Sequence, residues 1–248
     1  MLPVIHIGGL TIDSFKLFIF LGFMAGSTVL FLRLWNREIA LKERRYLLLA
    51  LSFVFIGGLA GAQIHYFIFH PNLASIMDFP GDSSWHKALL IGTTIYLILM
   101  KIKGITPLTA LDFLAPAIPL GHAVGRIGCF LAGDACYGIP TDLPWGMTFP
   151  QGAAPTYIPV HPVPLYESVV LLIIFIVLWK FRNRFHAPGL LFAMFTIMVG
   201  TERILLEELR LNSPIFLGLT EPQLIFGILI LTGLSIILYH RFHIKTKS

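Results

Sequence analysis

The stretch LGHAVGRIGCFLAGDACYG, residues 120–138, decides how this chain folds and what the fold holds. It places Arg126 between two glycines inside an otherwise apolar run. In membrane-like sequence an arginine is costly and marks a functional site with an anionic partner, and glycines let backbones or ligands approach closely. The alternative is a helix-packing segment in which the Arg126 side chain extends to the membrane interface.

The composition of the whole chain indicates a polytopic membrane protein. Of its 248 residues, 56% are hydrophobic and only 12% are charged, and the mean hydropathy is +0.81. A soluble domain of this length carries about a quarter charged residues. The length allows about seven spans of roughly 20 residues with their loops. We therefore expect an all-α polytopic membrane protein that forms a single integral membrane domain over residues 1–248.

Apolar runs and turn-forming residues predict seven transmembrane helices. The predicted spans cover about 12–32, 46–69, 85–100, 107–131, 163–179, 188–209 and 222–240. The N-terminus has no basic region or small-residue cleavage site of the kind found in a secretory signal. Prolines and glycines in the fourth span predict a kinked helix with local unwinding around Arg126.

The turn-rich segment 133–162 is predicted to be one ordered extracytoplasmic loop region. Loops of this length are usually functional or disordered, and the aromatic and proline content of this one favours order. Trp145, Phe149 and Tyr157 are predicted to lie at the membrane interface.

The distribution of positive charge predicts the orientation in the membrane. Thirteen of the 18 lysines and arginines fall on alternate connections: 33–45, Lys101 and Lys103, 180–184, and the C-terminal tail. Cytoplasmic loops carry such an excess. Seven spans then place the N-terminus outside and the C-terminus in the cytoplasm. The predicted cytoplasmic segments thus account for the net charge of +5, and no nucleic-acid partner is expected.

Five cations fall near the outer halves of spans, where topology does not require them: Lys16, Lys87, Arg126, Arg203 and Arg210. The commonest anion at that depth is a phospholipid headgroup, and arginine binds phosphate through two parallel hydrogen bonds. An enzyme that retains diacylglycerol and expels a phosphate-bearing group needs such cations. It also needs a base, and His86 at the outer end of the third span titrates near neutrality. The alternative is that His86 is an interfacial histidine without a role.

Two further patterns concern the same region. Arg203, Glu207 and Arg210 recur at helical spacing, which predicts one shared helix face. Cys129 and Cys136 lie seven residues apart, which on a continuous helix is on the order of 10 Å and too far for a disulfide. A bend at Gly133 would bring the two thiols closer, so both arrangements stay open beside the alternative of two small apolar core residues.

These motifs together resemble the prolipoprotein diacylglyceryl transferase family. Residues 112–138, followed by PTDLPWGMTFP at 140–150, are similar to the family's GRxGNFxNxExxG core and its proline-rich segment. HPVPLYE at 161–167 resembles the family's HPxxLYE motif, and Gly200–Arg210 resembles GxxRxxxExxR. The resemblance covers nearly the whole chain in order, with the same seven-span topology.

The resemblance implies a transferase of lipoprotein biosynthesis in the bacterial plasma (inner) membrane. Such an enzyme moves diacylglycerol from phosphatidylglycerol to the lipobox cysteine thiol of a prolipoprotein and releases glycerol phosphate. The implied partners are phosphatidylglycerol, the prolipoprotein signal peptide with its lipobox, and the membrane lipid bilayer. No cofactor and no metal are implied.

The resemblance also assigns residues. Arg126 and Arg203 match essential arginines that would hold the lipid phosphate, and His86 matches the histidine proposed as base. Positions that would support or bind the substrates are Glu207, Arg210, Cys129, Asp134, Gly138, His161, Tyr166 and Glu167.

The chain also departs from the family pattern. Cys129 stands where the core has asparagine, Gln63 replaces an arginine of the second span, and one residue is inserted near Asp134. We interpret the chain as a divergent member. The alternatives are a related phospholipid-dependent transferase with a different acceptor and a non-catalytic lipid-binding membrane protein.

Overall fold

The computed structural model describes residues 2–7, 10–35, 85–185 and 187–245, and the structural statements below concern those residues. The chain divides into two compact units, which we describe separately. The larger contains Met1–Leu30 and Asp112–Ser248, and the smaller contains Phe31–Leu111. The predicted second span at 46–69, with Gln63, lies outside the described residues.

The described chain is mostly helical. Its helices are α1 (Ser14–Trp35), α2 (Trp85–Ile102), α3 (Pro107–Leu114), α4 (Ala117–Ala132), α5 (Val163–Phe181), α6 (Leu190–Glu207) and α7 (Glu221–Lys245). Four described stretches are long and apolar enough to cross a membrane: Ser14–Trp35, Pro107–Ala132, Val163–Phe181 and Glu221–Phe242. The chain therefore has the helices of an integral membrane protein, while the count of seven spans stays a prediction.

Helix α5 shows how the larger unit is built. It is apolar around its whole circumference, a pattern that indicates burial in protein or lipid. One side, with Leu171, Ile174 and Leu178, is buried in a core shared with α6. The other side exposes large apolar residues such as Ile173 and Ile176, as expected of a surface that faces lipid. Neighbouring helices α4, α5, α6 and α7 pack on one another in chain order.

Glycines set the close packing of α1 on α4. A Cβ atom on Gly121 would lie 2.9 Å from the backbone oxygen of Gly22, and one on Gly26 would lie 3.0 Å from the oxygen of Ala117. Real Cβ atoms essentially never show the first separation, and the second is tighter than most Cβ contacts, so the two backbones approach this closely because side chains are absent there.

The prediction of unwinding around Arg126 was wrong. Helix α4 is continuous through that residue, and the break lies at Ala115–Pro116, between α3 and α4. Pro119 falls in the first turn of α4, where backbone N–H groups have no helical acceptor and proline is tolerated. The glycines of α4 serve packing rather than unwinding.

The N-terminus of helix α6 is capped by a residue that is far from it in the sequence. The Asp112 carboxylate accepts hydrogen bonds from the backbone N–H of Gly189 (2.6 Å) and of Phe192 (2.8 Å) at the start of α6. A carboxylate there satisfies orphan donors and complements the helix dipole. The intramembrane acid Asp112 thereby fixes the helix that carries Arg203.

Residues 133–162, which we call the cap, contain a small antiparallel sheet of β3 (Met147–Phe149) and β4 (Thr156–Val160). A second hairpin, β1 (Val4–Ile7) with β2 (Leu10–Asp13), precedes α1. Phe149 was predicted at the membrane interface, but it is only 1% exposed. It stacks on Tyr137 with ring centroids 5.2 Å apart and forms the core of the cap. Trp145 and Tyr157 are exposed.

The smaller unit is described over α2 and the residues that follow it. Tyr96 is buried and donates its hydroxyl hydrogen to the backbone oxygen of Ala110 at 3.2 Å. Gly104, with φ of 76°, reverses the chain after α2, which is the left-handed conformation that glycine adopts at little cost.

Candidate functional site

The charged residues singled out in the sequence meet where α4 and α6 end and α5 begins. At their centre is Glu167, in the second turn of α5 and 1% exposed. Arg126 Nε lies 2.6 Å from Glu167 Oε2, and Arg203 Nη1 hydrogen-bonds to Oε1. Arg210 Nη2 lies 3.3 Å from each oxygen of the same carboxylate. We call these four residues the arginine cluster.

Each member reaches this point from a different part of the chain. Arg126 lies on the buried side of α4, which is locked to α5 by the Ser168 hydroxyl donating to the Ala123 oxygen at 3.0 Å. Arg203 comes from the last turns of α6. Arg210 follows the end of α6 at Glu207, so the prediction of one helix face for Arg203, Glu207 and Arg210 was wrong for Arg210.

A second buried acid, Glu207, also pairs with one of the cluster arginines. Arg203 Nη2 lies 3.5 Å from Glu207 Oε2, and Glu202 is buried beside Arg203 in the chain. Three buried or nearly buried arginines therefore form ion pairs with two buried carboxylates, those of Glu167 and Glu207. Buried charges persist only when they are paired, and removing one partner of such a pair costs about 3–5 kcal/mol.

Arg203 carries a buried donor that the described residues leave unsatisfied. Arg203 Nε is buried and has no hydrogen-bond acceptor among the described residues. A buried donor without an acceptor costs about 1–3 kcal/mol, and few such groups occur in folded proteins unless a ligand, ion or water completes them. An anionic ligand oxygen beside the cluster would complete this one.

Glu207 is held by residues that the sequence did not single out. Its Oε1 accepts hydrogen bonds from Asn212 Nδ2 at 2.7 Å and from Thr220 Oγ1 at 2.9 Å. Both donors lie in the segment between α6 and α7. The sequence shows them only as polar residues among apolar neighbours, which does not predict a contact with Glu207. They fix the loop after α6 against the charged end of that helix.

Arg126 also contacts a residue that sequence reasoning passed over. Its Nε donates to His122 Nε2 at 3.2 Å. His122 lies four residues earlier, on the same face of α4, so this spacing could have identified it. The contact adds a titratable neighbour to Arg126 on its own helix.

Both cysteines lie beside Arg126. Gly133 ends α4 in the left-handed conformation, with φ of 59° and ψ of 42°, and turns the chain back. Arg126 Nη1 then lies 3.6 Å from Cys129 Sγ and 3.5 Å from Cys136 Sγ. The bend that the sequence left open is present, and the two described thiols are not joined in a disulfide.

The remaining predicted site residues form contacts within the cap and at the start of α5. Asp134 Oδ1 accepts the backbone N–H of Cys136 at 3.1 Å. Gly138 donates its N–H to the His161 oxygen at 2.8 Å, and a Cβ atom there would lie 2.7 Å from Val163 Cγ2. His161 Nδ1 lies 3.4 Å from the Tyr166 hydroxyl. Gly138 thus packs the cap on the start of α5.

Two of the five outer cations and the predicted base are not part of the described cluster. Lys16 is exposed near the start of α1. Lys87 and His86 fall in the first turn of α2, in the smaller unit, and their side chains lie outside the described residues. The assignment of His86 as base stays a prediction.

Comparisons with known proteins agree with the resemblance. The sequence model of the family described as prolipoprotein diacylglyceryl transferase matches residues 3–239. A protein of Bordetella avium named phosphatidylglycerol–prolipoprotein diacylglyceryl transferase is 36% identical over 179 residues, covering 70% of this chain and 66% of its own length. Proteins of the same name from Desulfotalea psychrophila and Thermotoga maritima are 34% and 30% identical. The first match covers 79% of this chain and 75% of the relative, the second 94% and 82%.

Proposed function

This chain belongs to the prolipoprotein diacylglyceryl transferase family, and from that premise we infer that it transfers the diacylglyceryl group of phosphatidylglycerol to a prolipoprotein. It is a transferase of lipoprotein biosynthesis. The acceptor is the lipobox cysteine thiol, and glycerol phosphate leaves.

The observation that carries this proposal is the buried Nε donor of Arg203. Glu167 holds Arg126 and Arg203 side by side, so their remaining N–H groups stay oriented without rearrangement. Donors fixed in this way stabilise charge as it develops on a leaving phosphate. The phosphate of phosphatidylglycerol would accept from Arg203 Nε and satisfy it.

The chemical step is a displacement at the glyceryl carbon. The acceptor sulfur forms the new carbon–sulfur bond while the carbon–oxygen bond to phosphate breaks, and the electron pair leaves with glycerol phosphate. The thiol proton goes to a base, which by the family resemblance is His86. The cluster arginines hold the departing phosphate, and Glu167 acts on the reaction by positioning them.

The proposal includes a location and an orientation. The enzyme spans the bacterial inner membrane seven times, with its N-terminus and the cap outside and its C-terminus in the cytoplasm. The charge distribution of the connecting segments supports this orientation.

Arg203→Lys tests the proposal, with Arg184→Lys as the matched control. Lysine keeps the positive charge beside Glu167 but lacks the planar fork and its Nε donor. We expect transfer from phosphatidylglycerol to a lipobox peptide to fall about 10²–10³-fold, mostly in kcat. Arg184 is exposed outside the cluster, so its variant should transfer normally.

Two results would contradict the proposal. Normal transfer by Arg203→Lys would remove the phosphate role of Arg203. A wild-type protein that binds phosphatidylglycerol in membranes but transfers nothing to the peptide would favour the non-catalytic lipid-binding alternative.

A further inference from the structure

We propose that Cys129, Asp134 and Cys136 form a binding site for a thiophilic divalent cation of the Zn²⁺ class, next to Arg126. One ligand atom from each residue lies within 4.8 Å of the other two. Zn²⁺ takes cysteine sulfur at about 2.3 Å and carboxylate oxygen at about 2.0–2.2 Å in tetrahedral geometry, so its ligand atoms lie roughly 3.5–3.8 Å apart. Shifts of about 1 Å would close the site around an ion.

The local fold assembles the three ligands from a short piece of chain. Cys129 lies in the last turn of α4, and the left-handed Gly133 reverses the chain after it. Asp134 and Cys136 follow in a tight turn, in which the Cys136 N–H donates to Asp134 Oδ1 at 3.1 Å. The turn thereby holds a carboxylate beside both sulfurs before any ion arrives.

The donor set suits a thiophilic cation. Arg126 Nη1 lies close to both sulfurs, so the two thiols converge on one point, and metal binds cysteine as the thiolate. Two thiolates and one carboxylate carry three negative charges, of which a divalent ion would offset two. Binding would release the two thiol protons to solvent.

Access also fits a metal site. Cys129 and Cys136 are buried, whereas Asp134 is half-buried. Asp134 is therefore the most solvent-accessible of the three ligands, and a fourth, water ligand would bind on its side. Three protein ligands with one open position is a familiar zinc arrangement.

A disulfide between the cysteines is the competing interpretation. It would account for the approach of the two sulfurs but not for a carboxylate oxygen within the same 4.8 Å. The sequence predicted neither a metal nor a cofactor, and the proposed transfer reaction does not require one. A bound ion would instead tie the cap to the end of α4, beside a cluster arginine.

Cobalt titration of the full-length protein tests the site. The protein is purified in detergent with reductant, stripped with chelator and titrated with Co²⁺, whose thiolate complexes absorb in the near ultraviolet. We expect one Co²⁺ per chain with a thiolate-to-metal band. Cys129→Ser and Cys136→Ser should each lose the band, and Asp134→Asn should bind at least about tenfold more weakly. Asp142→Asn, an exposed acid of the cap, should bind normally.

A second measurement needs no substitution, so it remains decisive if a variant fails to fold. Stoichiometric Zn²⁺ should slow alkylation of both wild-type thiols by a maleimide at least about tenfold, because a metal-bound thiolate is a poorer nucleophile. The proposal is overturned by equal alkylation with and without Zn²⁺, or by Co²⁺ binding without a thiolate band. It is also overturned if the reduced protein reoxidises to a mass two hydrogens lower and binds no Co²⁺ in either state.

Discussion

Glu167 is the residue on which the arrangement of the three arginines depends. Its two oxygens contact Arg126, Arg203 and Arg210. The sequence identified the arginines as functional, because a cation in an apolar helix is costly and is usually retained for a function. It could not pair them with Glu167, which lies 36 residues from Arg203 and 43 from Arg210. Such contacts follow from the packing of whole helices.

Glu167→Gln should therefore destabilise the protein as well as inactivate it. The amide keeps the shape but leaves three guanidinium groups around a neutral residue, and an uncompensated buried charge costs about 3–5 kcal/mol. For a chain of this length that is a fall in the unfolding midpoint of roughly 10 °C, measurable by thermal unfolding in detergent. Glu208→Gln, which changes an exposed partner of Gln223, is the control. An unchanged midpoint for Glu167→Gln would mean that the cluster is not held by charge pairing.

At the scale of elements, α4 shows where sequence reasoning succeeds and fails. Its apolar character and its arginine predicted a helix at the site. Its glycines and prolines were misinterpreted as unwinding, because glycine signals close approach as readily as flexibility. Only the position of α1 shows that Gly121 faces Gly22. The cap strands escaped prediction for a related reason: β4 exposes three consecutive central residues and lacks the alternation that marks a half-buried strand.

Gly121→Ala tests the contact between α1 and α4. The added methyl would lie 2.9 Å from the Gly22 oxygen, on backbone that cannot rotate away. Overpacking of this kind costs about 1–3 kcal/mol, so the unfolding midpoint should fall. Gly227→Ala on α7 meets nothing within 4 Å, and there the better helix propensity should raise stability by roughly 0.5–1 kcal/mol. Equal effects of the two substitutions would contradict the packing described here.

At the scale of the molecule, composition alone predicted a helical membrane protein, and the long apolar helices agree with that class. Orientation is a separate matter, because a helix bundle can cross a membrane in either direction. The bias of lysine and arginine along the chain is the property that selects one direction. The orientation therefore remains a prediction that needs its own measurement.

Reporter fusions supply that measurement. A reporter joined after Lys103 should be cytoplasmic, and one inserted near Gln151 in the cap should be external, because an odd number of spans separates them. An enzyme reporter active only outside the cytoplasm, paired with one active only inside, distinguishes the two faces. The reverse pattern would contradict the seven-span orientation.

The pairing of the three cluster arginines with Glu167 and Glu207 leaves little net charge, which has a consequence for how the lipid is recognised. A site with little net charge exerts only a weak long-range field, so it does not gather anionic headgroups by electrostatic steering, an effect that falls steeply with ionic strength. Phosphatidylglycerol would instead be selected on contact, by the directions of fixed N–H groups. The apparent KM for phosphatidylglycerol should then change less than about threefold between roughly 20 and 200 mM salt, where steered association weakens strongly. The site would therefore recognise the lipid by hydrogen-bond geometry rather than by long-range electrostatic attraction.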